Sequence, residues 1–258
     1  MSLLEVKNVS RYFGGLAAVA NVSMHFDEGE LVGIIGPNGA GKTTFFNLVT
    51  GVYVPSEGKI TLATKDGVQV LNGQSPDKIN GMGVARTFQN IRLFSTQTVL
   101  ENVMVAMDRK QGNSLWSSLF RTKAYYDTEE TMRIQALELL EMFSLDHLAN
   151  EKAQNLAYGQ QRRLEIVRAL ATEPRILFLD EPAAGMNPAE TKDLTDLIAE
   201  IRERFGLTVV LIEHDMSLVM EICERIYVLE YGRLIASGTP KEIQQNEAVI
   251  RAYLGGEA

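Results

Sequence analysis

The stretch Gly36-Pro37-Asn38-Gly39-Ala40-Gly41-Lys42-Thr43 decides how this chain is read. It matches the phosphate-loop pattern in full, with glycines at both ends of the loop followed by lysine and a hydroxyl residue. Glycines let successive backbone N–H groups turn inward around phosphate oxygens, at the positive end of a helix. Lys42 is placed to bridge β- and γ-phosphates, and the Thr43 hydroxyl to ligate Mg2+. The flanks agree. Leu31-Val32-Gly33-Ile34-Ile35 is a continuous apolar run, expected of a strand covered on both faces, and Thr44–Val49 is compatible with a helix.

A phosphate loop needs a second metal-holding carboxylate at the end of a neighbouring strand. Ile176-Leu177-Phe178-Leu179-Asp180 supplies one, with Asp180 at the carboxyl end where ligands collect in open α/β sheets. Glu181 follows directly. The pair can divide labour, Asp180 on the metal and Glu181 polarising the attacking water. By themselves two acids after a strand describe a solvated loop; the phosphate loop changes their meaning.

A third buried run, Val209–Ile212, completes a crossover unit with Ile176–Leu179. The helix between them has Asn187 as N-cap and Pro188 at its first position. Its apolar stripe is Leu194, Leu197, Ile198, Ile201 and Phe205, and Gly206 stops it. Strand, helix and strand with a short exit loop predict a parallel α/β core. Residues 1–35 read as short strands, with Val22, Met24 and Phe26 alternating against polar neighbours before the turn Asp27-Glu28-Gly29-Glu30. Residues of about 86–160 lack β-like runs and carry the helical stripe Met132, Ala136, Leu139, Leu140 and Phe143. This is the expected inserted helical lobe, set between core segments 1–85 and 161–258 of a single domain. A hairpin is expected around Tyr231-Gly232, and short helices after Pro240.

The chain has 258 residues, 45% of them apolar, and a formal net charge of −8. That acidity argues against a nucleic-acid binder that depends on overall positive charge. One cysteine, Cys223, excludes an intramolecular disulfide and any zinc site built on several cysteines. No apolar run approaches the roughly 18 residues of a membrane span. The N-terminal residues lack a secretory pattern, so a cytosolic, soluble chain is expected.

Further motifs fall in a fixed order: Arg86-Thr87-Phe88-Gln89, Leu156-Ala157-Tyr158-Gly159-Gln160 before the basic helix Gln161-Arg162-Arg163, Ala184-Gly185-Met186-Asn187, and His214 after Val209–Ile212. With these the chain resembles, over almost its whole length, the ATP-binding subunit of an ABC transporter. It is most similar to the larger ATPase of the branched-chain amino acid importers of bacteria and archaea. The pieces that suggest this are Val84–Gln89, the Leu-Ala-Tyr-Gly-Gln signature, Ala183–Pro188, Leu211–Met216 and Tyr253-Leu254-Gly255.

The resemblance implies a P-loop NTPase core of ABC type, with an N-terminal antiparallel β subdomain and an inserted α-helical lobe. Two such domains meet head to tail around two ATP molecules, each held between one chain's phosphate loop and the other's signature. It implies ATP contacts from Gly36, Asn38, Gly39, Ala40, Gly41, Lys42, Thr43 and Thr44, and from Leu156, Gly159 and Gln160 across the interface. Phe13, before Gly14-Gly15, aligns with the aromatic that stacks on adenine, with Tyr12 as the fallback. Thr43, Gln89 and Asp180 would attend Mg2+, Glu181 would be the general base, and His214 would contact the γ-phosphate.

The signature departs from the common Leu-Ser-Gly-Gly-Gln. Ala157 removes a hydroxyl that would bond the γ-phosphate, and Tyr158 adds bulk where glycine allows close approach. The family pairs two different ATPases, so a heterodimer whose partner supplies the standard signature is expected, with a homodimer as the alternative. Transport then requires membrane permease subunits and, indirectly, an external solute-binding protein, placing the chain peripherally on the cytoplasmic face of the inner membrane. Ile91, Leu93 and Phe94 are a candidate permease surface or part of the lobe's own core. Leu115, Trp116, Leu119 and Phe120 offer the same choice, with membrane contact added. Lipopolysaccharide export and urea or amide uptake are the nearest alternatives within transport. A soluble ABC ATPase of DNA repair or translation lacks its usual coiled-coil insertion or second cassette here. A kinase or GTPase leaves the signature and His214 unexplained.

Overall fold

The computed structural model describes residues 2–108 and 123–254, arranged as two β-sheets with helices packed around them. The first sheet is antiparallel, in the order β2-β1-β4-β5, from β1 (Ser2–Phe13), β2 (Leu16–Asp27), β4 (Glu57–Thr64) and β5 (Gly67–Val70). β1 and β2 are twelve residues each, longer than the short strands expected. Alternation breaks at Lys7-Asn8, where two successive residues are exposed. Register shifts after Val6 and again after Val9 absorb the change of phase, so pairing with β2 runs on.

The second sheet runs β10-β9-β3-β8-β7-β6, from β3 (Leu31–Ile35), β6 (Val84–Arg86), β7 (Ile176–Asp180), β8 (Thr208–Ile212), β9 (Arg225–Glu230) and β10 (Arg233–Gly238). All neighbours are parallel except the edge hairpin of β9 and β10. Every residue of β3, β7 and β8 is buried. The reason is a core on each face. Leu31, Ile35, Leu177, Leu179, Val209 and Leu211 face one apolar cluster, and Val32, Ile34, Ile176, Phe178, Val210 and Ile212 the other. Asp180 pairs with Ile212, and Ile212 with Ile34, so the carboxyl ends of three central strands share one edge. That edge carries the phosphate loop, the acidic pair and His214.

α1 (Lys42–Val49) follows the loop directly, and α2 (Pro76–Gly81) precedes β6. α3 (Val99–Asp108), α4 (Lys123–Met142) and α5 (Tyr158–Leu170) pack on one another. Met132, Ala136, Leu140 and Phe143 are buried there, while Leu139 is half-buried beside a surface cleft. The Trp116 segment lies outside the described residues. α6 (Pro188–Phe205) starts as expected: the Asn187 side chain accepts from the N–H groups of Ala189 and Glu190. Gly206 ends it at φ 61°. Phe205 departs from the expected buried stripe: it sits in the last turn, faces the same cleft as Leu139 and is exposed. α7 (Met216–Ile222), α8 (Pro240–Gln244) and α9 (Glu247–Leu254) complete the chain. Among the described residues, no helix is long and apolar enough to cross a membrane.

Candidate active site

The phosphate loop leaves the buried end of β3 through Gly36, whose φ is 152° and where a Cβ would lie 2.1 Å from the Leu229 carbonyl. Only glycine fits that approach. The Lys42 ammonium donates to the carbonyls of Gly36 at 2.6 Å and Pro37 at 3.1 Å. Burial lowers its pKa, against the pull of Glu181 and Asp180. Residues Asn38 to Thr44 wall one side of a cleft of about 360 Å³. Leu16, Ala17, Ala18, Gln89, Glu181, His214 and Tyr231 complete the lining.

Asp180 is fully buried at the end of β7. Its Oδ2 pairs with Arg86 at 3.2 Å, and Arg86 is tied to Asn47 Oδ1 at 2.7 Å and Thr50 Oγ1 at 3.1 Å on α1. Its Oδ1 has no hydrogen-bond partner among the described residues. Burial raises the Asp180 pKa, with Arg86 opposing. A buried carboxylate oxygen left unpaired suits a hard cation that takes oxygen ligands. Among the described residues no three acidic, histidine or cysteine groups cluster as a metal site. Mg2+ is a hard cation of that kind, usually held by one or two carboxylates plus substrate phosphates.

Glu181 adopts φ 50°, uncommon for a residue with a side chain, and its N–H donates to the Ile212 carbonyl at 2.9 Å. The turn aims its carboxylate into the cleft, between Gln89 and His214. Gln89 Nε2 donates to Oε2 at 3.0 Å, and His214 Nε2 lies 2.8 Å from Oε1. Glu213, buried before His214, accepts from the N–H groups of Ala183 at 2.9 Å and His214 at 3.2 Å. Burial pushes its pKa up.

The signature residues do not line this cleft. Leu156 is buried, Ala157 stands at the N-cap of α5, and the Gln160 side chain accepts from the Ala157 N–H at 3.0 Å. Tyr158 is exposed, with its ring against Gly185. Phe13 is also outside the lining; its ring meets Tyr53 edge-on at 5.2 Å, with the Arg11 guanidinium 4.7 Å away. Tyr12 is exposed and its hydroxyl reaches Glu57.

Residues 19–184 match the ABC transporter family. The chain belongs to the ATP-binding cassettes of ABC transporters. These proteins bind ATP and are ATPases coupled to transport. Residues 233–258 match the family described as branched-chain amino acid ATP-binding cassette transporter. The cassette is 51% identical to the high-affinity branched-chain amino acid transport ATP-binding protein LivG of Salmonella typhimurium, over 98% of each chain. It is 34% identical to the lipopolysaccharide export system ATP-binding protein LptB of Haemophilus influenzae, over 99% of this chain and 98% of that one. Among solved structures it resembles the ADP conformation of an ATP-binding cassette of an ABC transporter, with 33% identity, a TM-score of 0.83 and 99% of each chain covered.

What the sequence reading missed in this cassette is the clamp behind Gln89 and Glu181. Arg162, counted only as part of a basic helix, is fully buried. It donates to the carbonyls of Phe88 at 2.6 Å, Gln89 at 2.9 Å and Glu181 at 3.4 Å, and pairs with Glu165 at 2.9 Å. Glu165 in turn accepts from the N–H groups of Phe88 and Arg92. The one signal available was Glu165 three residues after Arg162, the spacing of a helical ion pair.

Proposed function

We propose that this cassette is the ATP-hydrolysing subunit of a membrane importer for branched-chain amino acids, with Glu181 as the base that activates the attacking water. The observation that carries hydrolysis is the Glu181 carboxylate held between Gln89 and His214 at 3.0 and 2.8 Å. A general base must stand within hydrogen-bond reach of the proton it takes. Two hydrogen bonds fix the carboxylate plane, while each oxygen keeps a lone pair free for water.

Lys42 now rests on two neutral carbonyls. Phosphate oxygens offer it charge-assisted bonds, roughly twice as strong, so the ammonium is expected to turn to bound ATP. Thr43 and Asp180, with Gln89, would hold Mg2+, which neutralises charge on the β- and γ-phosphates when bound. His214 steadies Glu181 and meets the γ-phosphate.

The exposed start of α5, away from its own cleft, supports head-to-tail pairing with a second cassette. Ala157 and Tyr158 support a heterodimer whose partner brings the standard signature. Phe94 is exposed beneath the Arg168 guanidinium, 5.2 Å from its ring centre, whereas Leu93 packs into the core. The permease contact is therefore assigned to Phe94 rather than to the whole apolar segment. The assembly would sit on the cytoplasmic face of the inner membrane and answer to an external solute-binding protein, with no nucleic acid involved. The 51% identity to a branched-chain amino acid transport protein, against 34% to a lipopolysaccharide export one, and the match over residues 233–258 favour amino acid uptake.

The test is ATP hydrolysis by the complete complex in liposomes. Leucine-loaded binding protein is expected to stimulate turnover several-fold. Stimulation by urea or lipopolysaccharide and none by leucine, isoleucine or valine would overturn the solute assignment.

A further inference from the structure

The hairpin tip Tyr231-Gly232 is pinned to the phosphate loop. The Gly232 N–H donates to the Ala40 carbonyl at 3.0 Å, and the Gly232 carbonyl accepts from Ala20 at 2.8 Å. A Cβ on Gly232 would come within 2.7 Å of the Ala18 carbonyl, so the tip sits as close as a backbone can. Tyr231, thus anchored, is 83% exposed and lines the nucleotide cleft. It holds φ 46°, a left-handed value that is an outlier for a bulky side chain. The two-residue loop of the hairpin requires positive φ at both Tyr231 and Gly232, which fixes the place of this side chain at the cleft.

The cleft is lined by two chemically distinct sets of residues. Lys42, Thr43 and the loop amides give the lining an anion-binding set, and Leu16, Ala17 and Tyr231 an apolar one. ATP has two matching parts, a triphosphate joined to a flat nucleoside. Phe13 is engaged by Tyr53 and Arg11 and takes no part in the lining.

We propose that Tyr231 contacts the nucleoside of ATP and sets affinity for it independently of the phosphates. This rests on the reading of the cleft as the ATP site. Two variants of the full chain isolate the ring: Tyr231→Asn, because asparagine tolerates the left-handed turn, and Tyr231→Phe, which keeps the aromatic face. Equilibrium binding of ATP, and of inorganic tripolyphosphate as the nucleoside-free probe, is measured by calorimetry. Tyr231→Asn is expected to weaken ATP about threefold to tenfold, with tripolyphosphate and the melting temperature unchanged and Tyr231→Phe near wild type. Unchanged ATP affinity in Tyr231→Asn would overturn the proposal. Equal weakening of ATP and tripolyphosphate would also overturn it, by assigning Tyr231 to the shape of the phosphate loop. Failure of the wild-type chain to bind ATP would instead remove the reading beneath it.

Discussion

The phosphate half of the site and the signature half come from one chain but are finished to different degrees. Around Lys42 the groups are already in contact: the lysine with its loop, Asp180 with Arg86, Glu181 with Gln89 and His214. Around Gly159 the helix start is exposed, and the side chain of Gln160 reaches no further than Ala157. Under the proposed function the first region positions a phosphate by itself, and the second faces a partner outside the chain. The two are nevertheless joined, because Arg162 of the signature helix holds the backbones of Phe88, Gln89 and Glu181. Under the proposed pairing, a pull on the signature helix would act through Arg162 on the backbones that carry Gln89 and Glu181.

The largest expected effect strikes the finished half. Glu181→Gln keeps the shape and removes the base, so turnover should fall about a hundred- to ten-thousand-fold. ATP binding should survive, and the stalled pair of cassettes should accumulate as a stable dimer by size-exclusion chromatography. Unchanged turnover would take Glu181 out of the base role and leave the phosphate half a binding site only.

Cutting the join comes next. Arg162→Met leaves Glu165 buried without its counter-charge, which should cost about 3–5 kcal/mol of stability in urea denaturation. Turnover should also fall at temperatures where the variant is still folded, because Gln89 loses its anchor. Arg162→Lys should not rescue it, since one ammonium cannot reproduce a planar fork on three carbonyls. A loss below about 1 kcal/mol, within the range of an exposed pair, would mean the two halves are not coupled through this residue.

The same contrast explains what could be read from sequence. The phosphate loop, Asp180 and the three buried runs announce themselves locally, because glycine spacing, a terminal acid and an uninterrupted apolar strand each carry meaning within a few residues. Arg162 does not: its partners are Phe88 and Gln89, 74 and 73 positions away, and in sequence it belongs to a run of solvated-looking cations. Glu213 is hidden in the same way, its place defined by the backbone N–H of Ala183, thirty residues earlier. β4 escaped notice because only Ile60 and Leu62 alternate in it, too few to mark a period. The family resemblance named Gln89, Glu181 and His214 together. The contact among them comes from folding, which brings the ends of separate strands to one edge.

The smallest effect probes the open half. At Ala157 the backbone already has N-cap geometry, φ −61° and ψ 154°. Ala157→Ser supplies the missing side chain, whose oxygen can accept from the start of α5 while its hydrogen stays free, since a hydroxyl is both donor and acceptor. The cap should add about 0.5–2 kcal/mol to the stability of the isolated cassette and leave its ATP affinity untouched. Within the paired complex the free hydrogen meets a phosphate held by the partner. Hydrolysis at that composite site should then rise, by about tenfold for a charge-assisted bond near the low end of its usual worth. A gain in ATP affinity by the isolated chain would break the comparison, because the signature would then be serving its own cleft. A gain seen only in the complex would sharpen it, locating the unfinished half of this site on the far side of an interface.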